Sequence, residues 1–195
     1  MAQKKFQIAY QGTLDYFCGI YAVINATGFA CSSIKILTAP QKEEFFRYFM
    51  KYLLDNGLLA QVIDHGTTCQ LEERYLRLAQ KYMKEKHNIL IQWKKLSSLK
   101  SKKPLSFAQI FYLLNRWVRL KNHSCIIRVD TPQTGDHWTV FKRVNFPISY
   151  LVDSYHFLKI NFKKLAWKVK EAKNLSSETQ IMKQGIFFIK ATSLK

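Results

Sequence analysis

The sequence predicts an α+β fold in which one domain spans residues 1–195. Helical spacing of apolar residues dominates the first half of the chain, and short alternating stretches bounded by turn residues dominate the second. Helices followed by strands, without regular alternation of the two, are typical of α+β proteins with an antiparallel sheet. With 195 residues, 48% of them hydrophobic, the chain can bury a core and is not expected to be disordered.

Three helices are predicted in the first half of the chain and one near its centre. The first is expected to be capped by Thr13 or Asp15 and stopped by Gly28. Ser106 followed by Gln109 forms a capping box that opens the fourth. The predicted helices span about residues 18–26, 40–56, 69–86 and 106–121.

The second half of the chain is predicted to consist mostly of strands. They are expected at residues 125–129, 138–144, 148–153 and 186–191, with one more helix in the lysine-rich segment 161–172. One further strand is expected in the first half, at residues 89–93. Residues 145–147 are predicted to form a three-residue hairpin loop, which pairs Val144 with Ile148. The length of this loop sets the register, and the register sets the face on which each side chain lies.

The charge balance narrows the possible partners. Lys and Arg number 31 against 13 Asp and Glu, which gives a formal net charge of +18. Such an excess attracts nucleic acid, an anionic lipid surface or an acidic protein. Most of it is lysine, however, and the bidentate arginine groups that read bases are scarce. A solvated surface is the commoner origin of this pattern, so the charge alone does not indicate a DNA-binding protein.

The absence of apolar targeting segments and the spacing of the cysteines argue against a membrane protein, a secreted protein with an N-terminal signal and a metal-binding protein. No apolar run approaches the roughly 20 residues that cross a bilayer, and the N-terminus lacks the apolar stretch of a secretion signal. We therefore expect no transmembrane segment, and either a cytoplasmic location or export without an N-terminal signal. The four cysteines form no C-x-x-C pair. His65 with Cys69 supplies only two possible ligands, so neither a metal nor a cofactor is predicted.

Cys18 is the first candidate for chemistry. It lies in the segment QGTLDYFCGIYA at the start of the first predicted helix. The helix dipole and the unpaired backbone N–H groups at that position favour a thiolate, which is the better nucleophile. Gly19 is expected to leave the sulfur open to a substrate. The simpler interpretation is a small buried residue at a helix start, which is the commoner role of a cysteine.

His137 and Asp153 are the next candidates, on two neighbouring strands. The predicted loop makes them diagonal neighbours on one face, and a loop one pair longer or shorter keeps them on one face. In one of those registers they lie directly opposite, with Cβ atoms about 5 Å apart. A carboxylate there can accept from the imidazole N–H and fix its tautomer. A loop with an even number of residues would separate them, and Asp136 should point away from His137 because the two are adjacent.

Together these residues resemble the motif series of papain-like cysteine hydrolases. A helix-start cysteine, a strand histidine more than a hundred residues later and an acid on the next strand follow the order of that superfamily. The closest resemblance is to its small bacterial branch, which includes leader-peptide peptidases and effector glutamine deamidases. The matching motifs are Gln11…Cys18-Gly19-x-Tyr21-Ala22, Gly135-x-His137-Trp138-x-Val140 and Leu151-x-Asp153-Ser154.

This resemblance implies a papain-like fold, with a helical N-terminal half packed on a C-terminal antiparallel sheet. It implies that Cys18 is the nucleophile, His137 the general base and then acid, and Asp153 the group that orients the imidazole. It also implies that Gln11 stabilises the oxyanion together with the backbone N–H of Cys18. Gln11 precedes Cys18 by seven positions, one more than the family usually shows.

The expected activity is hydrolysis of an amide bond in a protein or peptide substrate through a thioester intermediate. The same residues suit a protease or a glutamine deamidase, and the sequence does not distinguish the two. The alternative is a basic binding module for nucleic acid or an acidic protein, in which Cys18, His137 and Asp153 are structural. The lysine-rich surface can also steer a hydrolase toward an acidic target.

Overall fold

The protein has an α+β architecture, as predicted. The structure, a computed structural model, describes residues 16–98, 105–131, 135–145, 148–152, 159–161, 165–168 and 179–194. The helices found there are α1 Cys18–Cys31, α2 Ala39–Asp55, α3 Leu59–His65, α4 Cys69–His87 and α5 Phe107–Val118, with a short 3-10 helix at Leu96–Ser98. The strands found there are β1 Ile89–Lys95, β2 His123–Thr131, β3 Gly135–Asn145, β4 Ile148–Val152, β5 Lys159–Asn161, β6 Leu165–Lys168 and β7 Thr179–Ser193.

The first helix, α1, lies in the interior of the protein. Twelve of its fourteen residues are buried, which explains its length. It begins after Phe17, which occupies the N-cap position and forms no side-chain cap. Thr13 and Asp15, the predicted capping residues, lie outside the described residues. The helix continues through Gly28 to Cys31. Burial on all sides offsets the roughly 1 kcal/mol that a glycine costs inside a helix.

Capping residues set the starts of α2 and α5. At the start of α5 the backbone N–H of Gln109 donates to Ser106 Oγ over 3.3 Å, and the Gln109 side chain accepts from the Ser106 backbone. This confirms the predicted capping box, and Thr38 with Gln41 forms another at the start of α2. The helix α3 is not predicted by the sequence, because its seven residues are too few to show a periodic pattern.

The strands form one sheet in the order β1-β7-β2-β3-β4-β5, and β6 pairs with β7 outside this path. The described pairs are antiparallel except β6 with β7, which is parallel. The last strand in sequence, β7, therefore lies inside the sheet, where it pairs with β1, β2 and β6. The helix predicted at residues 161–172 is wrong where the structure describes it, since Leu165–Lys168 is a strand. The strand forms because these residues pair with β7, and this pairing cannot be predicted from the local lysine-rich pattern.

The β3–β4 hairpin differs from its predicted loop. Asn145 pairs with Ile148, so two residues connect the strands instead of three. A bulge at Lys142 then adds one residue to β3, and beyond the bulge Val140 pairs with Val152. The predicted loop gives the same pairing for these two residues. The loop is one residue shorter than predicted and the bulge adds one residue. The first half of β3, where His137 lies, therefore keeps the predicted register.

The sheet separates two hydrophobic cores. One face packs against α1 and α4, with α2 packed on these helices in the same core, and carries Trp138 and Val140 of β3. The other face packs against α5 and carries Val129 of β2 and Phe141 of β3. The two strands pair without a bulge from Cys125 to Thr131, so their side chains alternate strictly between the two cores. We call these the α1-side core and the α5-side core.

Candidate active site

The four cysteines fall into two classes by exposure. Cys18 and Cys69 keep 8% and 7% of their surface exposed, whereas Cys31 and Cys125 keep none. Burial raises the pKa of the Cys31 thiol to about 12 and that of Cys125 well above its ordinary value. Because the thiolate is the reactive form, Cys31 and Cys125 are poor nucleophiles at neutral pH. Cys18 and Cys69, the first residues of α1 and α4, remain as candidates.

Thr67 connects the start of α1 to β3. A Cβ added at Gly19 would lie 2.6 Å from the Thr67 methyl carbon and 2.6 Å from Glu72 Oε2. Close packing, rather than open access to the sulfur, therefore requires glycine at this position. The indole Nε1 of Trp138 donates to the carbonyl oxygen of Thr67 over 2.8 Å. Gly19 and Trp138 thus pack against the same residue, which places Cys18 and the first residues of β3 at one end of the sheet.

His137 lies at this end of the sheet but faces the other core. It is 5% exposed and pairs with Val129 of β2, and paired residues of antiparallel strands point to the same face. Val129 belongs to the α5-side core, whereas Cys18 and Trp138 belong to the α1-side core. The structure therefore brings Cys18 and His137 to one end of the sheet and directs their side chains to opposite faces.

The other predicted site residues are only partly placed. Gln11 and Asp153 lie outside the described residues, so their roles stay predictions. Asp136 is described, and the side-chain alternation of β3 puts it on the face of Trp138, away from His137, as predicted. There its carboxylate forms an ion pair with Arg128 of β2, whose Nε donates to Asp136 Oδ1 over 2.6 Å.

Sequence reasoning missed a buried acid beside Cys18. Glu72, in the first turn of α4, is fully buried, and neither of its carboxylate oxygens has a hydrogen-bond partner among the described residues. Burial raises its pKa well above the ordinary value, the nearby sulfurs of Cys18 and Cys69 raise it further, and Arg128 opposes them. The available signal was an acid at helical spacing between buried residues, Cys69 and Leu76.

Arg128 brings a positive charge to the same end of the sheet. Its guanidinium binds Asp136 through two nitrogens, and Nη1 donates to Cys69 Sγ over 3.4 Å. The group also lies over the Trp138 ring, 5.5 Å from the centroid. A Cβ added at Gly185 of β7 would lie 2.3 Å from the Arg128 Cβ, so β7 passes directly behind this residue. Arg128 is therefore held in place by contacts with Asp136 and Trp138 of β3, with Cys69 of α4 and with the β7 backbone at Gly185.

The described residues lack two further features. They contain no group of three or more His, Cys, Asp or Glu side chains that could hold a metal ion. Within the same residues, no helix is both long and apolar enough to cross a membrane. No protein-family model, curated protein or solved structure matches the chain.

Proposed function

We propose that the protein is a papain-like cysteine hydrolase that cleaves an amide bond in a protein or peptide substrate, with Cys18 as nucleophile and His137 as general base. The observation that supports this is the packing of Gly19 and Trp138 against Thr67, which joins the start of α1 to the start of β3. A helix-start thiol and a strand-start imidazole at one end of a sheet are the two groups that thioester chemistry needs.

The proposal sets a geometric requirement on His137. β3 begins at Gly135, two residues earlier, and the sheet separates the faces on which the two side chains lie. The imidazole must therefore reach Cys18 past this end of β3 rather than through the sheet. Asp153 would orient the imidazole, and Gln11 would stabilise the oxyanion with the backbone N–H of Cys18. Both of these roles rest on the resemblance to the papain-like motifs.

The reaction would follow the two halves of thiol hydrolysis. The Cys18 thiolate attacks the amide carbonyl carbon, and backbone and side-chain N–H groups stabilise the oxyanion that forms. The His137 imidazolium protonates the leaving nitrogen as the C–N bond breaks, which leaves a thioester. His137 then removes a proton from water, which attacks the thioester and releases the acid and the thiolate. A peptide bond gives a protease, and a glutamine side chain gives a deamidase.

A substrate-free experiment tests the nucleophile. Native protein is treated with limiting iodoacetamide, and the modification of each cysteine is followed by peptide mass spectrometry. We expect Cys18 to react faster than Cys31, Cys69 and Cys125. The matched control is Cys69→Ser, which removes the other cysteine that is not completely buried and should leave the Cys18 rate unchanged. Equal slow labelling of all four thiols in the folded protein would contradict the proposal.

A second experiment identifies the reaction. A proteome is incubated with the wild-type protein, with Cys18→Ala or with His137→Gln, and is then compared by mass spectrometry. New peptide termini that appear only with the wild type indicate a protease, and conversion of Gln to Glu indicates a deamidase. If the wild type and Cys18→Ala give the same products, Cys18 is not the nucleophile.

The opposite facing of Cys18 and His137 favours a second candidate, a basic binding module without catalysis. In that case Cys18 and His137 have only a packing role, one in each core. The basic surface, with a net charge of +18, then binds nucleic acid or an acidic protein. Its affinity would fall steeply with salt concentration and would survive Cys18→Ala. Binding of a labelled single-stranded oligonucleotide and of polyglutamate, measured across a salt series with both proteins, separates this candidate from the hydrolase.

A further inference from the structure

The outer face of α4 carries a row of positive charges that the proposed reaction does not use. The residues in this row are basic, exposed to solvent and spaced three or four positions apart along the helix. At about 100° per residue, this spacing places them within an arc of about 80° and over a length of about 15 Å. They are Arg74, Arg77, Lys81 and Lys84, and we call them the α4 basic stripe.

Most of the α4 basic stripe has no acidic partner in the described part of the chain. Arg77 lies near Glu73, with 3.9 Å between its Nη2 and Glu73 Oε2, but its side chain remains 66% exposed. Glu73 itself accepts a shorter bond of 2.8 Å from Lys95 Nζ of β1. No ion pair of the other three members is found among the described residues. The positive charge of the stripe is therefore available to a partner.

The exposed cations of α2 are arranged differently. Arg47 pairs with Glu43 over 2.6 Å, and Lys51 pairs with Asp55 over 3.1 Å, each with an acid one turn away on the same helix. Such pairs are the usual arrangement of opposite charges on a solvated helix. Because the two helices belong to the same basic chain, the lysine excess alone does not account for the unpaired cations of α4.

The surroundings of the stripe favour a protein partner over other polyanions. None of the large apolar side chains that are exposed in the described residues lies on α4. The stripe therefore offers neither aromatic rings that stack on bases nor apolar groups that enter a membrane. Glu85 is exposed beside Lys81 and Lys84. A nucleic acid presents only negative charge to this acid, whereas a protein can place a cation against it.

We propose that the α4 basic stripe is the docking surface for an acidic helical segment of a protein partner. Carboxylates spaced three and four residues apart on such a segment form a row with the same rise as the stripe, so each can approach one cation. Arg74 and Arg77 can each bind a carboxylate through two nitrogens, which adds directional contacts to the charge attraction. The surface lies outside the residues assigned to catalysis. The inference therefore goes beyond the proposed function and does not require Cys18 to be the nucleophile.

The binding of two fluorescent helical peptides tests this docking surface. The peptides have the same composition and net charge, but the glutamates lie along one helical face in the first and are spread around the helix in the second. Every protein carries Cys18→Ala, so that turnover cannot consume the peptide. We expect the one-faced peptide to bind more tightly. Replacing two members of the stripe, Arg74→Gln with Lys81→Gln, should weaken its binding about tenfold.

The matched control is Arg116→Gln with Lys121→Gln. It removes the same two kinds of charge from exposed positions in α5 and in the turn that follows it. Because these positions lie off the stripe, only long-range attraction is lost, and binding should weaken less than about twofold. Equal weakening by the two double variants would overturn the proposal, since net charge alone would then account for binding. Equal affinity for the two peptides would also overturn it.

A double-stranded oligonucleotide, measured with the same proteins at the same ionic strength, tests the other class of partner. We expect it to bind less tightly than the one-faced peptide. If it binds more tightly and loses that affinity when the stripe residues are replaced, the stripe binds nucleic acid and the proposal is wrong. None of these results depends on the rate at which Cys18 is alkylated. Failure of the docking proposal is therefore distinguishable from failure of the proposed function.

Discussion

The indole N–H of Trp138 donates a 2.8 Å hydrogen bond to the carbonyl oxygen of Thr67. Trp138 is 1% exposed, and Thr67 lies just before α4, so the bond crosses from the sheet to the helical layer. It is a buried polar contact in the α1-side core. Because Thr67 also packs against Gly19, this bond links β3 to the start of α1, in addition to the direct packing of α1 on β3.

Trp138→Phe should destabilise the protein. Phenylalanine fills part of the space but leaves the Thr67 carbonyl without its donor, which costs about 1–3 kcal/mol. Urea unfolding followed by circular dichroism measures the change. Trp93→Phe is the control, since no hydrogen bond from the Trp93 indole is found among the described residues and Trp93 is only partly buried. Equal effects of the two substitutions would contradict the role given to the Thr67 bond.

Gly19→Ala should destabilise the protein by about 1–3 kcal/mol, through overpacking. The new methyl would lie 2.6 Å from buried atoms of Thr67 and Glu72, which have little room to move. Alanine is otherwise the better helix former, so a substitution without a clash would stabilise α1. The sign of the change in the urea midpoint therefore decides whether α1 and α4 approach as closely as described.

Stability should depend on pH through Glu72. Its pKa is raised in the folded protein, above the value of 4.5 for an unperturbed group. From about pH 4.5 upward the unfolded chain has lost this proton while the folded protein still holds it, so stability falls as the pH rises through that window. Glu72→Gln should flatten this part of the curve, and Glu73→Gln should not. Urea midpoints at pH 5 and pH 8 measure the difference.

Arg128→Lys should cost about 1–2 kcal/mol of stability. An ammonium group cannot bind Asp136 through two nitrogens while also reaching Cys69. The Arg128 side chain is 19% exposed, so solvent screens its interactions only in part. The control is Arg47→Lys, at an ion pair with Glu43 whose side chains are 71% and 66% exposed. That substitution should change the unfolding free energy by no more than about 0.5 kcal/mol.

The sequence predicted the elements whose signals are local. The capping box at Ser106 and the start of α4 at Cys69 both follow from residues within one helical turn. The end of α1 and the strand at Leu165–Lys168 were predicted wrongly, because distant parts of the chain decide them. Burial carries α1 past Gly28, and pairing with β7 makes residues 165–168 a strand.

In the site too, features that depend on local sequence were predicted, and features that depend on distant contacts were not. Cys18 at a helix start and His137 near the start of a strand were both predicted, and the structure confirms these two positions. The face on which His137 lies follows from pairing with Val129, which the β3–β4 loop used in the prediction does not specify. Glu72 and Arg128 were missed because their importance depends on contacts between α1, α4 and β2. No spacing within one element could reveal these contacts.

The position of β7 between β1 and β2 has a consequence for synthesis on the ribosome. β1 and β2 do not pair directly but are joined through residues 179–193. Helices α1 to α4 can form early as the chain emerges from the ribosome. Their apolar faces cannot pack on the complete sheet, however, until β7 has left the exit tunnel. Completion of the sheet should therefore wait for residues 179–193, and nascent chains that stop before residue 179 should need a chaperone.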